Sequence, residues 1–260
     1  MREPLGQPRR AMVAVVVAVC AVLPLEAAGP GPETLAAWRD YVGRVDAAFD
    51  QGGAPALTEG ARRTVLAGAV LAEPAMAPSG PRPDVPGGTI QHWRGAVLLR
   101  GVTLEVLLDR LQREPPVQPD ILASRIIERD GPRQRLYLRL ARRAIVSATY
   151  DTEHEVSYRR RSAGTAASRS VMTRVREVDD AGTPGETVRA DGEDRGLLWR
   201  LNVYSGYEAV PGGVLVVIES ITLSRAVPAL LRPVAWPIIR HVARESVERS
   251  LDALRARFAR

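Results

Sequence analysis

The chain has 260 residues, 45% hydrophobic and 25% charged, which is enough apolar material for a packed core and an ordinary globular share of charge. Its formal charge of +6 is carried by arginine, since the sequence contains no lysine. The arginines are spread among acids and only 5% of residues are aromatic, which argues against a nucleic-acid surface with its basic track and stacking rings.

The first residues, "MREPLGQPRR", are basic, "AMVAVVVAVCAVLPL" is apolar throughout, and "EAAG" follows with small side chains. This order predicts a signal peptide over residues 1–27 and export to the periplasm or the extracellular space. The apolar run is about 15 residues, short of the ~20 that span a bilayer, so an uncleaved N-terminal anchor is the alternative. Cys20 is the only cysteine and lies inside this run. A mature chain without thiols has no disulfide, no thiolate metal site and no cysteine nucleophile.

Residues 28–88 read as a leader. Leu35, Trp38, Val42, Val45 and Phe49 recur at helical spacing, and "DQGG" closes that helix. A Pro-, Ala- and Gly-rich stretch follows, with a short helix over 61–71.

From Thr89 the period changes to two. "TIQHWRGAVLLRG" predicts a strand with Trp93, Gly95, Val97 and Leu99 on one face, and "VTLEVLLDRLQ" a helix that the prolines of "REPPVQPD" break. Strands follow in "ILASRIIERDG", "QRLYLRLARRAIV", "ATYDTEHEVSYRR" and "SRSVMTRVREVDD". A polar loop over 179–195 precedes a last hairpin, "LLWRLNVYSGYEAV" and "VLVVIESITLSR", turned at Pro211-Gly212-Gly213. The chain ends in a long helix that opens on Pro237.

The opening "GAVLLRGVTLEVLLDRLQ", the break "REPPVQP" and the closing "ESVERSLDALRAR" give residues 89–260 an order that resembles the START-like domains of the SRPBCC superfamily (Bet v 1-like proteins). The resemblance implies an α+β helix-grip fold, a curved antiparallel sheet wrapped around a long C-terminal helix, here with an N-terminal helical leader. It also implies an apolar cavity for lipids, sterols or other hydrophobic molecules. A few such domains are cyclases or hydrolases. No invariant catalytic motif exists to carry over, so no catalytic residue is assigned.

"TEHEV" looks like a metal or acid–base cluster, but alternation along a strand separates its charges. Glu153 and Glu155 share the solvent face with Asp151, whereas His154 faces inward with Tyr150, Thr152, Val156 and Tyr158. His92 sits on the polar face opposite Trp93, and His241 on the charged arc of the last helix. Three converging ligands are therefore lacking, and neither metal nor other cofactor is expected. His154 reads either as a core histidine satisfied by a hydroxyl or as a polar anchor or base in an apolar cavity.

In the last helix the apolar stripe runs through Ile238, Ile239 and Val242 and again through Leu251, Leu254 and Phe258. Between them lie Ala243, Ser246, Val247 and Ser250, small enough either to roof a pocket or to let the helix approach the sheet. On "LLWRLNVYSGYE", Trp199, Leu201, Val203 and Tyr207 are read as inward, with Arg200, Asn202, Tyr204 and Glu208 outward. Glu219 reads as a paired structural acid or a pocket carboxylate.

The expected function is an exported, monomeric binding protein that holds a hydrophobic small molecule or lipid between sheet and C-terminal helix. Its ligand-binding residues would be Trp93, His154, Tyr158, Trp199, Tyr207 and Ser246. Arg159, Arg160 and Arg161 at a hairpin end are read as a solvated tip that could also meet an anionic membrane surface. The competing readings are a cyclase- or hydrolase-like enzyme pairing His154 with Glu219 or a tyrosine, and a protein-interaction domain with a filled core.

Overall fold

A computed structural model describes residues 29–77, 83–143 and 147–259. The signal-peptide reading and Cys20 fall outside the described residues.

Helix α1 spans Pro32–Asp50, with proline in its first turn and Trp38, Tyr41, Val42, Val45 and Phe49 buried along one stripe. Gly52, at φ +105°, turns the chain out of it. Helix α2, Glu59–Leu66, is capped by the Thr58 hydroxyl, which accepts the Ala61 N–H at 3.3 Å. The helix expected over 61–71 ends early because Gly68 adopts φ +113° and the chain extends into strand β1, Leu71–Pro74, which the periodicity did not predict.

Strand β2 is Gly88–Arg100, and helix α3, Leu104–Arg113, is capped by Thr103. Next come β3 (Ile121–Asp130), β4 (Arg133–Arg143), β5 (Ser147–Arg160) and β6 (Thr165–Asp179). The expected 179–195 loop holds a two-residue strand β7, Thr187–Val188, and the last hairpin is β8 (Arg200–Val210) and β9 (Gly213–Arg225). Helix α4 spans Arg232–Phe258 and begins earlier than Pro237. Pro233 takes the first turn, and Pro237 lies inside the helix, where it cannot donate to the Pro233 carbonyl.

Among the described residues the strands form one antiparallel sheet in the order β1-β2-β9-β8-β6-β5-β4-β3, with β7 on β6. Helix α4 packs on β2 and β1, where Val247, Leu251 and Phe258 join Trp93, Val97, Leu99, Tyr207 and Val216 in one core cluster. Gly95 lies directly beneath the helix, since a Cβ there would meet Val247 Cγ1 at 2.5 Å and Leu251 Cδ1 at 2.7 Å. The small middle of α4 thus serves a close approach. This is a helix-grip, an α+β architecture.

The second face of the sheet is covered over β2, β9 and β8. Helix α1 packs there, and Trp38, Tyr41, Val42, Val45 and Phe49 form a second cluster with Ile90, Tyr204, Ile221 and Leu223. The side chains of β2, β9 and β8 alternate between α4 on one face and α1 with α2 on the other, which explains why their apolar residues are nearly continuous.

Candidate functional site

The face of the sheet toward α4 is built in rows fixed by strand register. One row runs Tyr158, Ser168, Ser205, Ile218, Gly95 across β5, β6, β8, β9 and β2. The next runs Gln134, Val156, Ser170, Val203, Ser220, Trp93. Serines at Ser168, Ser170, Ser205 and Ser220 therefore occupy the middle, with larger side chains on either flank. Val203, Ile218, Ser170 and Ser220 keep part of their surface accessible although they face the interior. Such a floor, apolar with a few hydroxyls, is the chemistry of a site for hydrophobic molecules.

A register shift between Glu153 and His154 pairs His154 with Met172 and leaves Thr173 as the extra residue on β6. The bulge flips the far end of β6, so Val175 and Glu177 face the same way as Thr152 and Tyr150. His154 is buried on this face, with Nε2 3.0 Å from the Thr152 hydroxyl and Nδ1 3.4 Å from that of Ser170. Burial, with the charge of Arg142 as a lesser cause, lowers its pKa to about 4, so it is neutral at pH 7 and a weak base. The Tyr207 hydroxyl lies 2.8 Å from that of Ser168. The Tyr158 hydroxyl donates to the Leu111 carbonyl at 3.2 Å and accepts from Gln134 Nε2 at 3.2 Å, which ties α3 to the sheet. Burial raises both tyrosine pKa values, keeping the hydroxyls protonated.

Of the six residues singled out from sequence, the structure brings Trp93, Tyr158 and Tyr207 into one cluster beneath α4. His154 stands in the adjoining row, opposite Leu136 and Met172. Ser246 is on α4 at the rim, 3.4 Å from both Arg142 Nη1 and Asp120 Oδ2. Trp199 does not join them. It precedes β8, donates from Nε1 to Asp194 at 2.9 Å, and packs with the α1 cluster.

Two of the four residues read as the outward polar set of β8, Asn202 and Tyr204, are buried, whereas Arg200 and Glu208 stay partly exposed. Asn202 donates to the Tyr204 hydroxyl at 3.3 Å, and Tyr204 donates to Asp46 of α1 at 3.0 Å. His92, read as lying on a polar face, is likewise enclosed by α1. Its Nδ1 is 2.9 Å from the Tyr41 hydroxyl, and its Nε2 is 3.3 Å from Glu219. Arg94 binds the same carboxylate at 2.7 and 2.9 Å. Burial alone would raise the Glu219 pKa, but His92 and Arg94 outweigh it and hold the carboxyl below its usual range. Glu219 is thus a paired structural acid under α1, on the face opposite His154, and the two cannot share a proton. Among the described residues no group of three acids or histidines could hold a metal.

A pocket of ≈ 370 Å³ opens where α3 crosses the end of β5, lined by Leu108, Gln112, Tyr158, Arg160 and Ala166 among others. Arg160 spans it to Glu105 at 2.6 Å and also donates to the Ala163 carbonyl. Arg161 donates to the Phe49 carbonyl at 2.6 Å, and Arg159 is 3.8 Å from Asp50. The three arginines are therefore engaged within the molecule.

No family model and no curated protein matches the chain. Among solved structures it is similar to a STAR-related lipid transfer protein from Xanthomonas axonopodis, with 15% identity over 73% of this chain and 99% of that one and a TM-score of 0.46. It is also similar to an aromatase/cyclase from a Streptomyces species, at 12% identity over 66% and 95% of the two chains with a TM-score of 0.43. A START superfamily protein from Mycobacterium smegmatis is similar at 11% identity over 66% and 97%, with a TM-score of 0.39. The helix-grip assignment rests on the strand order and the α4 contact described above.

Proposed function

We propose that the chain is an exported binding protein that holds one hydrophobic, lipid-like molecule against the α4-facing side of its sheet. The observation that carries this reading is the pair of rows through Ser168, Ser205 and Ile218 and through Ser170, Val203 and Ser220. Small side chains form the floor between the close approach of Gly95 to Val247 on one side and Leu136, Leu138 and Leu140 on the other. Val203 and Ile218 present apolar surface inward without being fully covered, and apolar surface of that kind favours a hydrophobic occupant over water. The ≈ 370 Å³ pocket at α3 touches Tyr158 and Ala166 of this face and is the proposed entrance. Export rests on the basic, apolar and small-residue order of residues 1–27.

The test is uptake of a fluorescent polyene lipid from neutral vesicles by the chain lacking residues 1–27. Saturable uptake of one molecule is expected. Ser170→Leu and Ser220→Leu, which fill the floor, should reduce it by at least about tenfold, since a ligand and a new side chain cannot share that volume. Tyr41→Phe, on the other face, should leave it unchanged. Wild-type protein that takes up no lipid would overturn the reading.

A further inference from the structure

We infer that Arg142 and Tyr150 form the head-group end of this site and that the bound molecule carries a carboxylate; the inference rests on the binding function proposed above. Arg142 lies opposite Ala148 and Tyr150 opposite Leu140, so the two are diagonal neighbours on adjacent strands, within reach of long side chains. Both are on the α4-facing side, since Arg142 donates to Ser246 of that helix at 3.4 Å. Tyr150 is fully buried among Leu140, Leu198 and Leu201, and its hydroxyl has no hydrogen-bond partner among the described residues.

Among the described residues, these two donors thus stand together at the edge of the leucine cluster without a carboxylate in hydrogen-bond contact. A guanidinium offers five N–H groups, and a single long bond to a hydroxyl engages one of them. The neighbouring acids are committed elsewhere. Asp120 is held by Arg249 at 3.2 Å and by Ser246 at 3.4 Å. Glu177, across the strand pair from Tyr150, is bound by the Arg195 guanidinium and accepts the Arg195 backbone N–H at 2.8 Å.

Arg142 is half-buried beside leucines, where a guanidinium loses part of its solvation unless an anion meets it, and the fully buried Tyr150 hydroxyl without an acceptor adds to that cost. One group satisfies both. A carboxylate takes two parallel N–H bonds from the guanidinium fork and accepts the tyrosine O–H on the same oxygens. The apolar remainder of such a ligand would lie along Leu138, Thr152 and His154 toward the serine floor. His154 is neutral there and adds no competing charge.

The experiment compares a polyene fatty acid with its methyl ester at pH 8, by fluorescence titration of the chain lacking residues 1–27. Wild type is expected to bind the acid about tenfold or more tightly than the ester, as a charge-assisted bidentate pair requires. Arg142→Gln should bring the ratio to about one by lowering affinity for the acid alone, and the conservative Tyr150→Phe should lower it by about threefold. Circular dichroism establishes that each variant is folded, and Tyr150→Phe, which removes only one oxygen, tests the inference if Arg142→Gln does not fold. Equal binding of acid and ester by wild type, or a preference that survives both substitutions, would overturn the head-group assignment and leave the binding function standing. Binding of neither compound would overturn both.

Discussion

Gly95 lies so closely beneath Val247 that a methyl group on it would sit 2.5 Å from the valine Cγ1. The contact settles what the small middle of α4 does. It brings the helix down onto β2, and the accessible surface lies to one side, over β9, β8 and β6.

Gly95→Ala is therefore expected to destabilise the fold by about 1–3 kcal/mol, because Val247 is stiff at χ1 and cannot turn away. Adding Val247→Ala should recover part of that loss by giving the new methyl its space. Urea unfolding of the single and double variants measures both.

The Tyr41 hydroxyl links three segments, accepting the Ala77 N–H at 3.0 Å and meeting His92 Nδ1 at 2.9 Å. Tyr41→Phe leaves these buried groups unsatisfied and should cost about 2 kcal/mol. Amide exchange should then quicken in α1 before the sheet, since the hydroxyl fastens that helix to β2.

His154 makes stability depend on pH in a defined window. Its folded pKa is lowered from 6.5 to about 4, so between those values the unfolded chain binds a proton that the folded chain does not. Its contribution is complete above pH 6.5 and is lost as pH falls toward 4, by about 3 kcal/mol in total. His154→Gln should remove this part of the acid sensitivity. The difference in urea midpoint between wild type and variant, followed from pH 7.5 to 4.5, reports it free of the carboxylates common to both proteins.

The Arg160–Glu105 pair spans the pocket at α3 in a largely exposed position. Screening by solvent makes it a minor contributor to stability, so Glu105→Gln should leave the urea midpoint unchanged. If that pocket is the entrance, the same substitution should speed ligand release in stopped-flow transfer to acceptor vesicles.

Much of this architecture was legible in the sequence because the strands alternate cleanly and the helices carry their own punctuation. Trp93 with Gly95, and His154 with Tyr150 and Tyr158, could be assigned to the correct face from alternation alone. The burial of His92 was not legible. Its partner Tyr41 is 51 residues away, and the polar look of that strand face reflects a helix that satisfies it rather than solvent. Trp199 seemed to share a face with Leu201 and Val203, but it stands one residue before β8, where Asp194 holds its indole N–H. The serine floor has no signature along the chain, because it forms only when register joins Ser168 to Ser205 and Ser170 to Ser220 through Val203. The β5–β6 bulge, which turns Glu177 toward Tyr150, leaves no mark in the residue types.

The most direct test of the central claim is native mass spectrometry of the chain lacking residues 1–27, purified without detergent and then incubated with mixed lipids. The account predicts a discrete mass excess of one lipid-like molecule, lost on denaturation and recovered in the organic extract. A chain that keeps its bare mass after that incubation would contradict it.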